Sequence, residues 1–144
     1  MWYTFRLLQL NKQREALEDR KREMYSAVAY PKPIEYKAAV VQTSGPGGNE
    51  VLDYIVRSEE LDARIEEITI EMEEIQLIID EYSGLLTEKE RKVIQLRFYQ
   101  FLSWPTIAKK IYGEISEANI YKARKLKRNA EKKLEGELLH LDKR

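Results

Sequence analysis

Apolar side chains recur along the first part of the chain at alternating intervals of four and three. Tyr3, Leu7, Leu10, Arg14, Leu17, Lys21, Met24 and Val28 share one such seam. The spacing predicts a coiled-coil helix of roughly 40 Å at 1.5 Å per residue. Arg14 and Lys21 stand at seam positions, where long stems lie along apolar neighbours while the charged heads reach water or acidic partners. A second seam runs Val51, Tyr54, Ser58, Leu61, Ile65, Ile68, Met72, Ile75, Ile79 and Tyr82, again at three- and four-residue steps. Ile55, Ile70, Leu77 and Ile78 widen its apolar surface beyond one neighbour.

Between the seams the pattern fails. Pro31 and Pro33 end the first helix, and Thr43-Ser44-Gly45-Pro46-Gly47-Gly48-Asn49 reads as a flexible run. Residues 30–49 are therefore expected to form a connection, with Ile34 to Gln42 of no clear pattern. The glycines do not make a phosphate loop, because neither the lysine nor the Ser/Thr of such a loop follows them.

Beyond Tyr82-Ser83-Gly84 the period continues in three shorter helices. Thr87 with Glu90 three residues on is a capping box, so a helix starts at Glu88 and buries Val93, Ile94, Leu96 and Phe98. Ser103 caps the next, with Pro105 in its first turn and Ile107, Ala108 and Ile111 inward. Tyr112-Gly113-Glu114 ends it. Ser116 caps the third, which turns Ile120, Ala123, Leu126, Ala130 and Leu134 inward and Ala118, Tyr121, Lys122, Lys125, Arg128, Asn129 and Lys132 outward. This helix is read as 116–134, with a continuation open through Gly136 toward Leu138, Leu139 and Leu141, leucines that either cover the core or fray.

The class is all-α: a long antiparallel helical hairpin of coiled-coil type over 1–83, then a small three-helix domain over 84–144. Charge supports the hairpin. The formal net charge is zero, yet residues 1–49 carry 8 positive and 5 negative groups, 50–82 carry 2 and 12, and 83–144 carry 15 and 8. Arg6, Lys12, Arg14, Arg20, Lys21 and Arg22 would meet the acids from Glu59 to Glu74 across the seam, setting register while apolar burial supplies the stability.

Composition narrows the chemistry. Without cysteine, and with His140 as the one histidine, a zinc site and a Ser-His or Cys-His nucleophile pair have almost no material; His140 is expected at the surface. The carboxylates fall at solvent positions of the heptads, so no catalytic residues, metal ligands or cofactor are expected, and the chain is not read as an enzyme. The apolar start MWYTFRLLQL is too short for a signal peptide and no segment is long enough to span a bilayer, so a soluble, cytoplasmic protein without membrane contact is expected.

From Ser116 to Lys133 there are seven Lys or Arg against two Glu. Two short helices joined by a glycine turn are the signature of a helix-turn-helix, whose second helix enters the major groove of double-stranded DNA. A basic outer face suits that role, since each phosphate neutralised releases condensed counterions, and the helix start adds partial positive charge.

The run LTEKERKVIQLRFYQFLSWPTIAKKI resembles the fourth region of bacterial sigma factors through Leu86-Thr87, Glu90-Arg91, Val93-Ile94, Leu96-Arg97-Phe98, Leu102-Ser103-Trp104 and Ile107-Ala108. It is most similar to the short regulators of phages and prophages of ArpU and RinA type. The resemblance implies a promoter-reading helix-turn-helix, with RNA polymerase as a further partner. Carried onto this chain, it implies that Thr106, Lys109 and Lys110 touch phosphates, that Ser116, Glu117, Asn119, Tyr121, Lys122 and Lys125 enter the groove, and that Arg128 and Lys132 hold backbone further along. The turn at 112–116 is longer than the family's, and nothing upstream resembles the sigma-factor segment that melts DNA, so an accessory regulator is implied. By side-chain chemistry Lys donates to guanine, Asn pairs with adenine and Glu accepts from cytosine. Trp104 is expected in the core; Tyr121 is compatible with groove or packing.

A homodimer through the coiled coil is expected, because one small module makes few contacts and linking two raises effective concentration. Two other readings compete: a DNA-packaging recognition subunit of small-terminase type, which a ring-sized assembly would favour, and a coiled-coil interaction adaptor without DNA contact.

Overall fold

The computed structural model describes residues 1–29 and 46–142, with the side chains of 28, 29, 46–50 and 139–142 outside the description. Five α-helices and no strand occur among the described residues. Helix α1 spans Trp2–Ala29 and α2 spans Pro46–Glu81. A single 3-10 turn, Ser83–Leu85, leads to α3 (Glu88–Ile94), α4 (Trp104–Tyr112) and α5 (Glu117–Asp142). Helix α2 starts earlier than its heptads do: Pro46 to Asn49, expected as connection, form its first turn, where proline's missing amide proton is harmless. The rest of that connection, the Ile34–Gln42 stretch, and the side chains of Val28, Leu139, His140 and Leu141 lie outside the described residues.

The helices group into two compact units, Met1–Asn11 with Glu71–Arg144, and Lys12–Ile70. The change from acidic to basic composition at Ser83-Gly84 thus falls inside the first.

In the unit Lys12–Ile70, burial follows the heptads at reduced depth. Arg14, Leu17, Lys21 and Met24 of α1 and Tyr54, Ser58, Leu61 and Ile65 of α2 are half-buried between exposed neighbours, and Ile68 is buried. Lys21 at its seam position pairs with Asp62, as the charge pattern predicts. Arg22 has no ion pair with α2 among the described residues; it pairs with Asp19 one turn back on its own helix, a neighbour already within reach at three residues.

The other unit holds the deeper core. Tyr3, Leu7 and Leu10 of α1 are buried, as are Met72, Ile75 and Ile79 of α2, Leu86, Val93, Ile94 and Phe98 around α3, and Ala130, Leu134 and Leu138 of α5. Arg6 grips the Glu71 carboxylate with two nitrogens at 2.9 and 3.2 Å. The Tyr99 hydroxyl donates to the Asp80 carboxylate at 2.6 Å and lies 2.9 Å from the Gln76 carbonyl, tying the end of α3 to α2.

The capping box is present as the sequence predicts. The Thr87 amide donates to Glu90 Oε1 at 2.9 Å and the Glu90 amide donates to Thr87 Oγ1 at 3.2 Å. Glu90 is buried because Lys133 of α5 also donates to its carboxylate, at 2.6 Å. Helix α3 ends less regularly. Gln95–Tyr99 widen into a π turn, the Leu102 amide reaches back to the Leu96 carbonyl at 3.0 Å, and Phe101 takes φ 56°. Such a closure normally places glycine at the left-handed position.

Candidate nucleic-acid interface

Helices α4 and α5 share a small core of Leu96, Ile107 and Ala123, against which Leu102, Trp104, Ile111 and Tyr112 pack. The turn between them is built by local chemistry. Gly113 closes α4 at φ 82° with its amide on the Lys109 carbonyl at 2.8 Å, a conformation glycine adopts without Cβ strain. Ser116 Oγ accepts from the Asn119 amide at 3.1 Å, satisfying a free donor at the start of α5. Asn119 Nδ2 donates to the Glu114 carbonyl at 3.0 Å and ties the turn to the helix it opens. The longer turn at 112–116 is therefore hydrogen-bonded at both ends.

Helix α5 takes the continuation left open beyond 134, through Gly136 to Asp142, with Leu138 buried. Its outer face matches the pattern: Ala118, Tyr121, Lys122, Lys125, Arg128, Asn129 and Lys132 are all exposed. Inward, Ala123, Ala130 and Leu134 are buried while Ile120 and Leu126 are half-buried.

The residues predicted to enter the groove divide into two groups. Glu117, Tyr121, Lys122 and Lys125 are exposed, whereas Ser116 and Asn119 are half-buried with their side chains engaged in the turn. Lys122 rests its ammonium 5.7 Å from the Tyr112 ring centroid, and Lys89 of α3 lies 5.5 Å from the same centroid. Of the predicted phosphate contacts, Lys109, Lys110, Arg128 and Lys132 are exposed. Thr106 is half-buried, and its hydroxyl lies 2.8 Å from that of Ser103. Ser103 stands at the cap position as predicted but caps no amide with its side chain, because Thr106 engages it instead.

Trp104 is packed against the small core, as expected, but only in part. Its ring is also approached by two guanidinium groups, Arg97 Cζ at 5.2 Å and Arg124 Cζ at 5.8 Å from the centroid. Arg97 Nη1 donates to the Leu102 carbonyl at 2.9 Å. Burial lowers the Arg97 pKa, and the like charge of Arg124 lowers it further. On α5, Arg128 Cζ lies 5.9 Å from the Tyr121 centroid. Trp104, Tyr121, Arg124, Lys127 and Arg128 line an open cavity of about 420 Å³. Tyr121 and Arg128 are expected at this surface from the sequence, whereas Arg97, Arg124 and Lys127 are given no site role there. Tyr121, Arg124 and Arg128 do follow one another at three- and four-residue steps on α5, which is a legible signal. That Trp104 and Arg97 meet them is not written in any spacing.

No protein-family model, no curated protein and no solved structure matches this chain. Among the described residues no helix is long and apolar enough to cross a membrane.

Proposed function

We propose that this protein is a sequence-specific, duplex-DNA-binding transcriptional regulator of phage or prophage type that reads the major groove with α5. The observation that carries this reading is the outer face of α5: Lys122, Lys125, Arg128 and Lys132 stand exposed together, and among the described residues none of the four has an ion-pair partner. Of the acids of that helix, Glu131 is paired to Lys127 and Glu117 lies in the first turn, where a negative charge favours the helix itself. Uncompensated cations on a rigid helix attract a polyanion and release its counterions. Glu117, Tyr121, Lys122 and Lys125 are the side chains assigned to base edges; Lys109, Lys110, Arg128 and Lys132 are assigned to phosphates. Ser116 and Asn119 set the turn and so the angle at which α5 is presented.

The protein acts as a dimer in this reading. Val51, Leu52, Ile55 and Val56 of α2 are 44–61 % exposed, and a second copy is the partner that would cover them. The test is a selection from random duplex DNA with sequencing of the bound fraction, using the full chain and Lys122→Glu/Lys125→Glu. Enrichment of a motif that disappears in the double variant supports the reading, and two spaced half-sites are expected from a dimer. Absence of any retained duplex at low salt overturns it.

A further inference from the structure

The cavity beside α5 concentrates positive charge with little acidic compensation. Arg97 and Arg124 are drawn toward one indole ring at 5.2 and 5.8 Å, and among the described residues no carboxylate lies within 4.0 Å of Arg97, Arg124 or Arg128. Lys127 alone is compensated, by Glu131 at 3.1 Å, and that carboxylate also lies 3.3 Å from the Met1 ammonium. Bringing like charges together costs free energy; the Arg97 pKa is lowered chiefly by burial and secondarily by the charge of Arg124. The aromatic rings act here as supports for guanidinium groups, since the π faces of Trp104 and Tyr121 already carry Arg97, Arg124 and Arg128. A guanidinium whose plane is set by an aromatic neighbour keeps its N–H fork available for a tetrahedral oxyanion.

We infer that the cleft of Trp104, Tyr121, Arg124, Lys127 and Arg128 is a phosphate-binding site that takes one backbone phosphodiester of the bound duplex, with Arg124 as its principal ligand and Trp104 as a positioning residue. The inference rests on the DNA-binding reading above and adds to it a contact outside the predicted groove and phosphate residues. It also assigns Arg124 a role distinct from that of Lys122 and Lys125: Arg124 contributes affinity and salt dependence but no base preference.

The experiment compares the full chain with Arg124→Gln and Arg124→Lys, measuring duplex affinity from low to moderate salt together with the enriched motif. Arg124 is exposed, so both variants keep the core, which a thermal melt verifies. With one phosphate fewer neutralised, the slope of log affinity against log salt falls by about 0.9 in Arg124→Gln. A fourfold rise in salt then costs the wild type about 3.5-fold more affinity than the variant. The motif stays the same, and Arg124→Lys retains the wild-type slope. Trp104→Leu, which keeps every cation but removes the ring, is expected to weaken binding with the motif unchanged. An unchanged slope in Arg124→Gln, or a changed motif, overturns the phosphate site while leaving the DNA reading intact. Failure of the wild type itself to bind duplex overturns both.

Discussion

Glu90 joins the start of α3 to the middle of α5, and its removal should loosen the helix that carries the basic face. The carboxylate accepts the Thr87 amide at 2.9 Å and the Lys133 ammonium at 2.6 Å. Removing the capping half of that arrangement costs about 1 kcal/mol. The Lys133 pair contributes about another 1 kcal/mol, at the lower end for a charged hydrogen bond because the Lys133 side chain is 43 % exposed and partly screened. Glu90→Ala should therefore destabilise this unit by about 2 kcal/mol, and Glu90→Gln, which keeps an acceptor for Thr87, by about 1 kcal/mol. Urea unfolding followed by tryptophan fluorescence reads both, since Trp2 and Trp104 belong to the same unit. The pH dependence has a definite sign. Burial raises the Glu90 pKa, but the Lys133 hydrogen bond and the two Thr87 contacts outweigh it, and the net value falls below the ordinary 4.5. The wild-type advantage over Glu90→Gln is thus full above pH 4.5 and is lost as pH falls through the depressed folded-state value. If Glu90→Gln proves as stable as the wild type, or if its penalty persists unchanged in acid, the charged pair with Lys133 is not what holds α5.

Two further substitutions probe the supports of the site. Gly113→Ala has no atom within 4 Å of the added Cβ, so its cost is the backbone strain at φ 82° alone, about 1 kcal/mol; an unchanged denaturant midpoint would contradict this. Tyr99→Phe should cost about 1 kcal/mol through the missing hydroxyl hydrogen bond to Asp80. Burial and the Asp80 hydrogen bond hold the Tyr99 hydroxyl well above the ordinary phenol range. At about pH 11 the tyrosinate absorbance of folded wild type and Tyr99→Phe should therefore coincide, and a deficit in the variant would show that Tyr99 ionises normally.

Much of the candidate interface is a property of local spacing. A helix repeats its side-chain directions every 3.6 residues, so the inward and outward positions of α5 and the heptad positions of α1 and α2 are recorded in the order of residues alone. Capping is local for the same reason: Thr87 and Glu90 are three residues apart and meet in any helix that starts there. Side-chain pairing inside a turn is less legible. Ser103 has two donors in reach, and its partner, Thr106 hydroxyl or backbone amide, depends on rotamers that spacing does not specify.

Which helices share an environment is a matter of packing. Glu90 and Lys133 are separated by 43 residues, and Tyr99 and Asp80 by 19. Trp104 collects Arg97 from the end of α3 and Arg124 from α5, while Tyr112 collects Lys89 and Lys122 in the same way. The helical class, the burial face of each long helix and the basic outer face of α5 follow from the order of residues, because each depends on one helix's own period. Depth of burial and the cationic cleft depend instead on how helices distant in the chain come together. Within Lys12–Ile70 most seam residues are shielded only by half, whereas additional helices bury Leu7, Leu10 and Ile79 fully. Only that packing brings Arg97 and Arg124 to the Trp104 ring.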